Sequence, residues 1–211
     1  DLDGTLLNSL EDLAASTNYA LRRYGYPEHE LPAYRYFVGN GIDKLLERAL
    51  PDAVRTPENV MKIKEDFVAY YAVHKADFTA PYAGIPELLG ELKRQGILLA
   101  VASNKYHEAT VALIPAYFGE GLFDFVFGQR EGIAIKPDPT IVYDIIKAAG
   151  VRKEEVLYVG DSGVDMQTAV NSGVTSVGVT WGFRDREELL ANGACHVAES
   201  PLDILAILNE I

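Results

Sequence analysis

Four short polar segments of this sequence contain the residue types that chemistry on an anionic group requires. Two of them directly follow apolar runs of strand length, at residues 97–102 and 156–159. In an open parallel α/β sheet, ligands bind beyond the carboxyl ends of the strands, so we expect the four segments to meet at one edge. The segments are Asp1-Leu2-Asp3-Gly4-Thr5, Ser103-Asn104-Lys105, Lys136-Pro137-Asp138-Pro139 and Gly160-Asp161-Ser162-Gly163-Val164-Asp165.

Such an edge would collect four carboxylates, and these would repel one another in a partly buried cleft. A hard divalent cation relieves that repulsion, and a few carboxylates with water and a phosphate are the usual surroundings of Mg²⁺. Lys136 adds a second positive charge and Ser103 a hydroxyl, a combination suited to holding a phosphoryl group. The four carboxylates are those of Asp1, Asp3, Asp161 and Asp165.

A carboxylate at such a site can attack phosphorus and form an aspartyl-phosphate intermediate. Asp3, two residues after Asp1, could protonate the leaving oxygen and later activate water. Gly4 permits the tight turn that lets both aspartates face the phosphate.

The elements that position these segments alternate between helix and strand after Tyr82, which predicts a doubly wound parallel α/β sheet. Because Asp1-Leu2-Asp3-Gly4-Thr5 has the form of a segment that follows a strand, we also expect a strand upstream of Asp1. The predicted strands span residues 97–102, 125–127, 156–159 and 176–179, and the predicted helices span 86–95, 140–149, 164–172, 186–191 and 202–208.

Residues 12–78 form a different unit, with helical periodicity and no strand pattern. Ser9 and Asp12 have the spacing of a capping box ahead of a first helix that ends near Tyr24. Further helices are predicted at 42–50 and 58–74. This stretch carries ten acidic and nine basic residues, whereas the whole chain has a net charge of −12. The sequence therefore predicts a core of residues 1–11 plus 79–211, with a helical insertion, the cap, at 12–78.

Composition excludes several classes of protein. With 19 basic against 31 acidic residues, the chain is a poor partner for nucleic acid, whose phosphates select Lys and Arg. No apolar run reaches the roughly 18 residues that a membrane span needs. The single cysteine, Cys195, cannot form an internal disulfide, so we expect a cytoplasmic protein. The expected partner is a small anionic substrate, bound by a monomer or homodimer.

Parts of the four polar segments resemble, in order along the chain, the four motifs of the haloacid dehalogenase superfamily. The matching residues are Asp1-Leu2-Asp3-Gly4-Thr5-Leu6, Ser103-Asn104, Lys136-Pro137 and Gly160-Asp161-Ser162-Gly163-Val164-Asp165. The resemblance implies a Rossmann-like core and a mobile helical cap of the C1 type, inserted between the first two motifs as residues 12–78 are. It implies that Asp1 is the nucleophile and Asp3 the general acid and base. Ser103 and Lys136 would bind the phosphoryl group, and Lys136 would also orient Asp1.

The resemblance also implies the ligands of Mg²⁺. They would be Asp1, the backbone carbonyl of Asp3, and Asp161, with Asp165 supporting the metal site. Thr5 and Asn104 would belong to the substrate-binding residues.

Residues 35–41 and 45–50 resemble the cap segment of phosphoglycolate phosphatases, and residues 79–84 resemble the return from cap to core in that group. This resemblance implies 2-phosphoglycolate as the substrate. Gly39-Asn40-Gly41 could present backbone N–H groups to an anion or be a plain interhelical turn. Arg35 could meet a substrate carboxylate or lie in solvent.

Other activities share the core residues, and a pyrophosphatase, a sugar-phosphate phosphatase and a β-phosphoglucomutase remain open. A dehalogenase is disfavoured because those enzymes lack the second aspartate, Asp3. The alternative from another class is a phospho-aspartate receiver domain, which the helical insertion disfavours.

Overall fold

The computed structural model describes residues 1–210 and divides into two compact units. One unit consists of Asp1–Leu7 and the chain from Pro81 onward, and we call it the core. The other unit is Asn8–Ala80. It begins earlier than the predicted insertion at residue 12, because the residues that lead into its first helix belong with that helix.

The inserted unit, Asn8–Ala80, is helical, and short strands mark the two places where the chain passes between the units. Strand β1 (Leu7–Asn8) and strand β2 (Ala80–Pro81) form a two-stranded sheet. Between them lie α1 (Leu10–Arg23), α2 (Leu31–Phe37), α3 (Gly41–Ala49), a 3₁₀ turn (Asp52–Val54) and α4 (Pro57–His74).

The rest of the core alternates between helix and strand. Its elements are α5 (Ile85–Arg94), β3 (Ala100–Tyr106), α6 (His107–Phe118), β4 (Phe125–Gln129), α7 (Thr140–Ala149), a 3₁₀ turn (Lys153–Glu155), β5 (Leu157–Gly160), α8 (Gly163–Ser172), β6 (Thr175–Val179), α9 (Arg186–Ala191), β7 (His196–Ala198) and α10 (Asp203–Leu208).

All the strand pairs of this alternating region are parallel. β3 pairs with β4, and β6 lies between β5 and β7. Helices cover both faces of these strands. Successive residues of a strand point to opposite faces, so neighbouring residues pack against different helices. Val101 packs with α5, α6 and α10 in one apolar cluster, whereas Ala102 packs with α7 and α8 in another. This is the predicted doubly wound α/β architecture.

The parallel strands form two sheets, and within the described residues β3 and β5 are not paired with each other. An apolar cavity of about 520 Å³ lies between them, with side chains of α5 and α7 in its lining. The expected strand upstream of Asp1 stays a prediction.

Strand β3 begins three residues later than its predicted start at residue 97 and continues past the predicted end at 102. Ser103, Asn104 and Lys105 therefore belong to the strand itself. The predicted strand ends where the apolar residues end, but buried partners satisfy these polar side chains. The sequence patterns do not predict α6, β7 or α2. In α2 a single residue, Tyr34, is fully buried, which leaves no helical periodicity to detect.

The predicted capping box at the start of α1 is wrong. Ser9 precedes the helix, but its side chain makes no capping hydrogen bond. The Asp12 carboxylate, only 2% exposed, instead accepts hydrogen bonds from the Thr79 hydroxyl at 2.6 Å and from the backbone N–H groups of Phe78 and Thr79 at 2.9–3.2 Å. These distant donors outcompete the local cap, and the carboxylate ties the start of α1 to the segment after α4.

Among the described residues, no helix combines the length and the apolar character that crossing a lipid bilayer requires.

The Asp12 contacts generate a stability prediction. Asp12→Ala leaves two buried backbone N–H groups and a hydroxyl without their acceptor, so we expect the free energy of unfolding to fall by about 2–4 kcal/mol. Urea denaturation measures this loss, and hydrogen exchange at the Phe78 and Thr79 amides should accelerate. Glu11→Ala, an exposed acid in the same turn, is the matched control and should change stability by less than about 0.5 kcal/mol. Equal effects of the two variants would contradict this role of Asp12.

Candidate active site

The first seven residues contain a turn, and Asp1 lies beside β5. The backbone nitrogen of Asp1 donates to the Val159 carbonyl at 2.8 Å, and the N–H of Gly4 donates to the Leu7 carbonyl at 2.9 Å. Gly4 has a φ of 92°, and a Cβ atom there would lie 2.2 Å from Oδ2 of Asp161. Only glycine satisfies both conditions, so the turn predicted at Gly4 also brings the backbone close to a second acidic segment.

Lys136 lies at the centre of the site. Its Nζ donates to Oδ1 of Asp1 at 2.8 Å, to Oδ1 of Asp165 at 2.7 Å and to the Ala102 carbonyl at 3.0 Å. The side chain is 2% exposed. Burial is the largest single effect and disfavours its charged form, but Asp165 and Tyr158 together outweigh burial and raise the pKa of Lys136 above its usual value. The site therefore contains a buried, permanently charged ammonium.

Asn104 holds the backbone of Lys136. Its Oδ1 accepts from the Lys136 N–H at 2.8 Å, and its Nδ2 donates to the Lys136 carbonyl at 3.1 Å. The family resemblance implies that Asn104 binds substrate, and in the structure its side-chain amide contacts the backbone of Lys136. Ser103, the neighbouring residue, is buried, and its Oγ accepts from the backbone N–H of Lys105 at 3.2 Å.

Asp165 belongs to both a helix cap and the site. Its Oδ2 accepts from the N–H and the hydroxyl of Ser162 at 3.2 and 2.6 Å, which completes a capping box at the start of α8. Its Oδ1 accepts from Lys136 and, at 3.1 Å, from the buried Tyr158 hydroxyl. Burial is the largest single effect and opposes ionisation of Asp165, but nearby positive charge, chiefly that of Lys136, and the hydrogen bonds from Lys136 and Ser162 together lower its pKa. Asp165 is therefore a fixed anion that orients Lys136.

Asp161 directly follows β5 and carries the buried charge that is hardest to accommodate. Its Oδ2 accepts from the Phe183 N–H at 2.7 Å, and the Thr5 hydroxyl lies 3.4 Å from its Oδ1. Burial, with the nearby charge of Asp165, raises the pKa of Asp161 to about 7. Thr5, predicted to bind substrate, thus contacts a site carboxylate, and its carbonyl accepts from the Trp181 indole N–H at 3.0 Å.

Carboxylate oxygens of Asp1, Asp161 and Asp165 lie within 4.8 Å of one another, so these residues could hold a metal ion. The chemistry fits a hard divalent cation, because all the donors are carboxylate oxygens. Burial first, and the charge of Asp165 second, raise the pKa of Asp161, and a bound cation would offset both effects. The Asp3 carboxylate is outside this group, and the predicted role of its backbone carbonyl as a ligand stays a prediction.

The Asp3 carboxylate has a lysine of its own. Nζ of Lys105 lies 3.1 Å from Oδ1 and 3.0 Å from Oδ2. Lys105 is not among the predicted site residues, although it directly follows the motif Ser103-Asn104 in the same polar segment. The continuation of the polar segment by one residue is the signal in the sequence that points to Lys105.

Arg35 and Gly39-Asn40-Gly41, which are predicted to contact substrate, belong to the inserted unit. Gly39 and Gly41 have positive φ angles of 124° and 80°, and the side chain of Asn40 between them accepts from Arg48 at 2.8 Å. Arg35 is exposed on α2. Their contribution to substrate binding stays a prediction.

The sequence and the fold of this chain are similar to those of known proteins. The family model described as "Haloacid dehalogenase-like hydrolase" matches residues 1–179. The chain is 35% identical to a phosphoglycolate phosphatase of Mannheimia succiniciproducens over 99% of this chain and 96% of that protein.

Solved structures of related proteins have a similar fold. The crystal structure of a predicted phosphoglycolate phosphatase from Haemophilus somnus matches with a TM-score of 0.91 and 32% identity, covering 98% of this chain and 95% of that one. CbbY from Rhodobacter sphaeroides, solved in complex with phosphate, matches with a TM-score of 0.76 and 25% identity, covering 99% and 96%.

The raised pKa of Asp161 generates a prediction about pH and stability. The folded, metal-free protein holds this proton more tightly than the unfolded chain does, so its stability falls as pH rises from about 4 through about 7. Asp161→Asn cannot ionise, and in EDTA at pH 8 we expect it to be more stable than wild type by about 1–3 kcal/mol. Near pH 4 the two proteins should differ little.

Urea denaturation at both pH values, in EDTA and in MgCl₂, measures these differences. Mg²⁺ should stabilise the wild type and leave Asp161→Asn unchanged. Asp52→Asn, whose side chain is 92% exposed in the inserted unit, is the control and should follow the wild type throughout. A stability difference between wild type and Asp161→Asn that does not vary with pH would contradict the prediction.

Proposed function

Since this chain belongs to the haloacid dehalogenase-like hydrolase family, we propose that it is a Mg²⁺-dependent phosphatase acting on a small phosphomonoester. The substrate that we propose is 2-phosphoglycolate, and the intermediate is an aspartyl-phosphate on Asp1. Membership of a hydrolase family sets aside the receiver-domain alternative.

The observation that carries this proposal is the buried ammonium of Lys136 between Asp1 and Asp165. Its 2.8 Å contact with Oδ1 of Asp1 orients that carboxylate and keeps a positive charge beside it. Incoming phosphate oxygens would meet the same charge. A preorganised cation at this position stabilises the negative charge that a phosphoryl group spreads over its oxygens during transfer.

The reaction consists of two transfers. An oxygen of Asp1 attacks phosphorus, the bond to the leaving oxygen breaks, and Asp3 gives that oxygen its proton. Asp3 then takes a proton from water, which attacks phosphorus and releases phosphate and the free Asp1 carboxylate. Mg²⁺ held by Asp1 and Asp161, with Asp165 nearby, would supply charge neutralisation for the phosphoryl oxygens.

Relatives support the substrate and the ligand class. The Mannheimia succiniciproducens relative bears the name phosphoglycolate phosphatase, and the structurally similar CbbY was solved with phosphate. A pyrophosphatase, a sugar-phosphate phosphatase or a β-phosphoglucomutase would use the same core residues, so the choice among them needs a direct comparison of substrates. A cytoplasmic location, expected from the single cysteine, stays a prediction.

The nucleophile assignment predicts the effect of Asp1→Asn. An amide cannot form the aspartyl-phosphate, so we expect kcat to fall by about four orders of magnitude or more. Phosphate release from 2-phosphoglycolate measures the rate, and circular dichroism should show an unchanged fold. Asp52→Asn serves again as the control and should retain full activity. Wild-type rates from a folded Asp1→Asn protein would rule out Asp1 as the nucleophile.

The substrate assignment predicts the outcome of a phosphoester panel. With MgCl₂, we expect kcat/KM for 2-phosphoglycolate to exceed that for pyrophosphate, nucleotides and sugar phosphates by about tenfold or more. EDTA should abolish phosphate release from every compound. A higher kcat/KM for another phosphoester would reject 2-phosphoglycolate while leaving the phosphatase activity in place.

A further inference from the structure

Two buried lysines contact different carboxylates of the site. Lys136 contacts Asp1 and Asp165, whereas Lys105 contacts Asp3. The Lys105 side chain is 3% exposed, and its Nζ lies within 3.1 Å of both oxygens of Asp3. Contact with both oxygens restrains the rotation of the carboxylate as well as its position.

An irregularity in β3 directs Lys105 toward Asp3. Ala102 of β3 is paired with Phe127 of β4, and the next paired residues are Tyr106 and Gln129. Three residues of β3, 103–105, therefore lie opposite the single residue Gly128. Extra residues of this kind re-aim side chains, and they are frequent next to active sites.

Neighbouring residues hold this irregularity in place. The Thr110 hydroxyl donates to the Lys105 carbonyl at 3.3 Å, and the Gly128 N–H donates to Nδ1 of His107 at 3.2 Å. A Cβ atom on Gly128 would lie 2.6 Å from the Lys105 carbonyl oxygen, so the close approach of the two strands requires glycine. The backbone of Lys105 is thus fixed independently of its ion pair with Asp3.

We propose that Lys105 is a positioning residue that holds the Asp3 carboxylate in the orientation required for proton transfer. The inference rests on the proposed function, in which Asp3 gives a proton to the leaving oxygen and takes one from water. Proton transfer depends steeply on alignment, so a carboxylate free to rotate would lose part of its effect. Because Lys105 holds Asp3, Lys136 orients the nucleophile Asp1 and does not also have to hold Asp3.

The kinetic test uses Lys105→Met, which removes the ammonium and retains an unbranched side chain. A poor alkoxide leaving group needs the Asp3 proton, whereas 4-nitrophenolate leaves without it. We expect kcat/KM to fall about 10- to 100-fold for 2-phosphoglycolate and less than about threefold for 4-nitrophenyl phosphate. Lys105→Gln provides a second variant for the same comparison if Lys105→Met does not fold.

A double-mutant cycle separates positioning from a general structural effect. If Lys105 acts through Asp3, adding Lys105→Met to Asp3→Asn should change kcat/KM by less than about twofold. Multiplication of the two single losses would overturn the proposal. Lys93→Met is the matched control, because Lys93 contacts both oxygens of Asp124 at 2.8 and 2.9 Å, at the opposite end of β3 and β4. It should leave the kinetics unchanged.

A crystallographic readout does not depend on turnover. In Lys105→Met, the Asp3 carboxylate should rotate or occupy more than one conformer, while the contact between Lys136 and Asp1 remains at its wild-type length. An Asp3 carboxylate that keeps its wild-type orientation would overturn the proposal.

The kinetic outcomes distinguish this proposal from the proposed function. If Lys105→Met lowers kcat/KM equally for 2-phosphoglycolate and 4-nitrophenyl phosphate, the role of Lys105 is overturned and the proposed function stands. The same holds if the variant only raises KM, and only for 2-phosphoglycolate, which carries a carboxylate. A wild-type protein that hydrolyses no phosphomonoester in MgCl₂ would instead reject the proposed function, and the kinetic role of Lys105 with it.

Discussion

Buried negative charge is the constraint on which the core of this protein depends. Asp1, Asp161 and Asp165 lie together where water is largely excluded, and such an arrangement is costly unless positive charge or hydrogen-bond donors accompany it. Lys136 supplies the positive charge for Asp1 and Asp165. Asp161 receives the Phe183 N–H but no ammonium within ion-pair distance among the described contacts, and its raised pKa marks where a cation would be favourable.

Much of the surrounding structure serves to hold these charges in place. The Asn104 side chain forms hydrogen bonds with both the N–H and the carbonyl of Lys136. Ser162 and Tyr158 donate hydrogen bonds to the carboxylate oxygens of Asp165. Gly4 provides the space that Asp161 occupies. These residues need not contact a substrate to matter for the reaction, because electrostatic stabilisation is effective only when the charges are already oriented.

The inserted unit, Asn8–Ala80, shows the same principle on a smaller scale. Asp12 is buried, and donors from Phe78 and Thr79 satisfy it where a local helix cap was expected. The sequence spacing predicts only the local cap, because the distance from Ser9 to Asp12 is a local pattern and a donor 66 or 67 residues away leaves none. The choice depends on which donors the tertiary structure brings within 3 Å.

From the sequence alone, the apolar runs and their alternation with helical patterns determined the α/β class. The order of the polar segments and the periodicity of residues 12–78 predicted the candidate site residues and an inserted helical unit. These features are local, and each leaves a pattern in residue type and spacing. Only the tertiary structure decided the partners: Lys105 on Asp3, Asn104 on Lys136, and Thr5 with Asp161. These partners are between 32 and 156 residues apart in the chain, and no local pattern records which distant donor meets which acceptor, since that depends on strand register and on irregularities such as the one in β3.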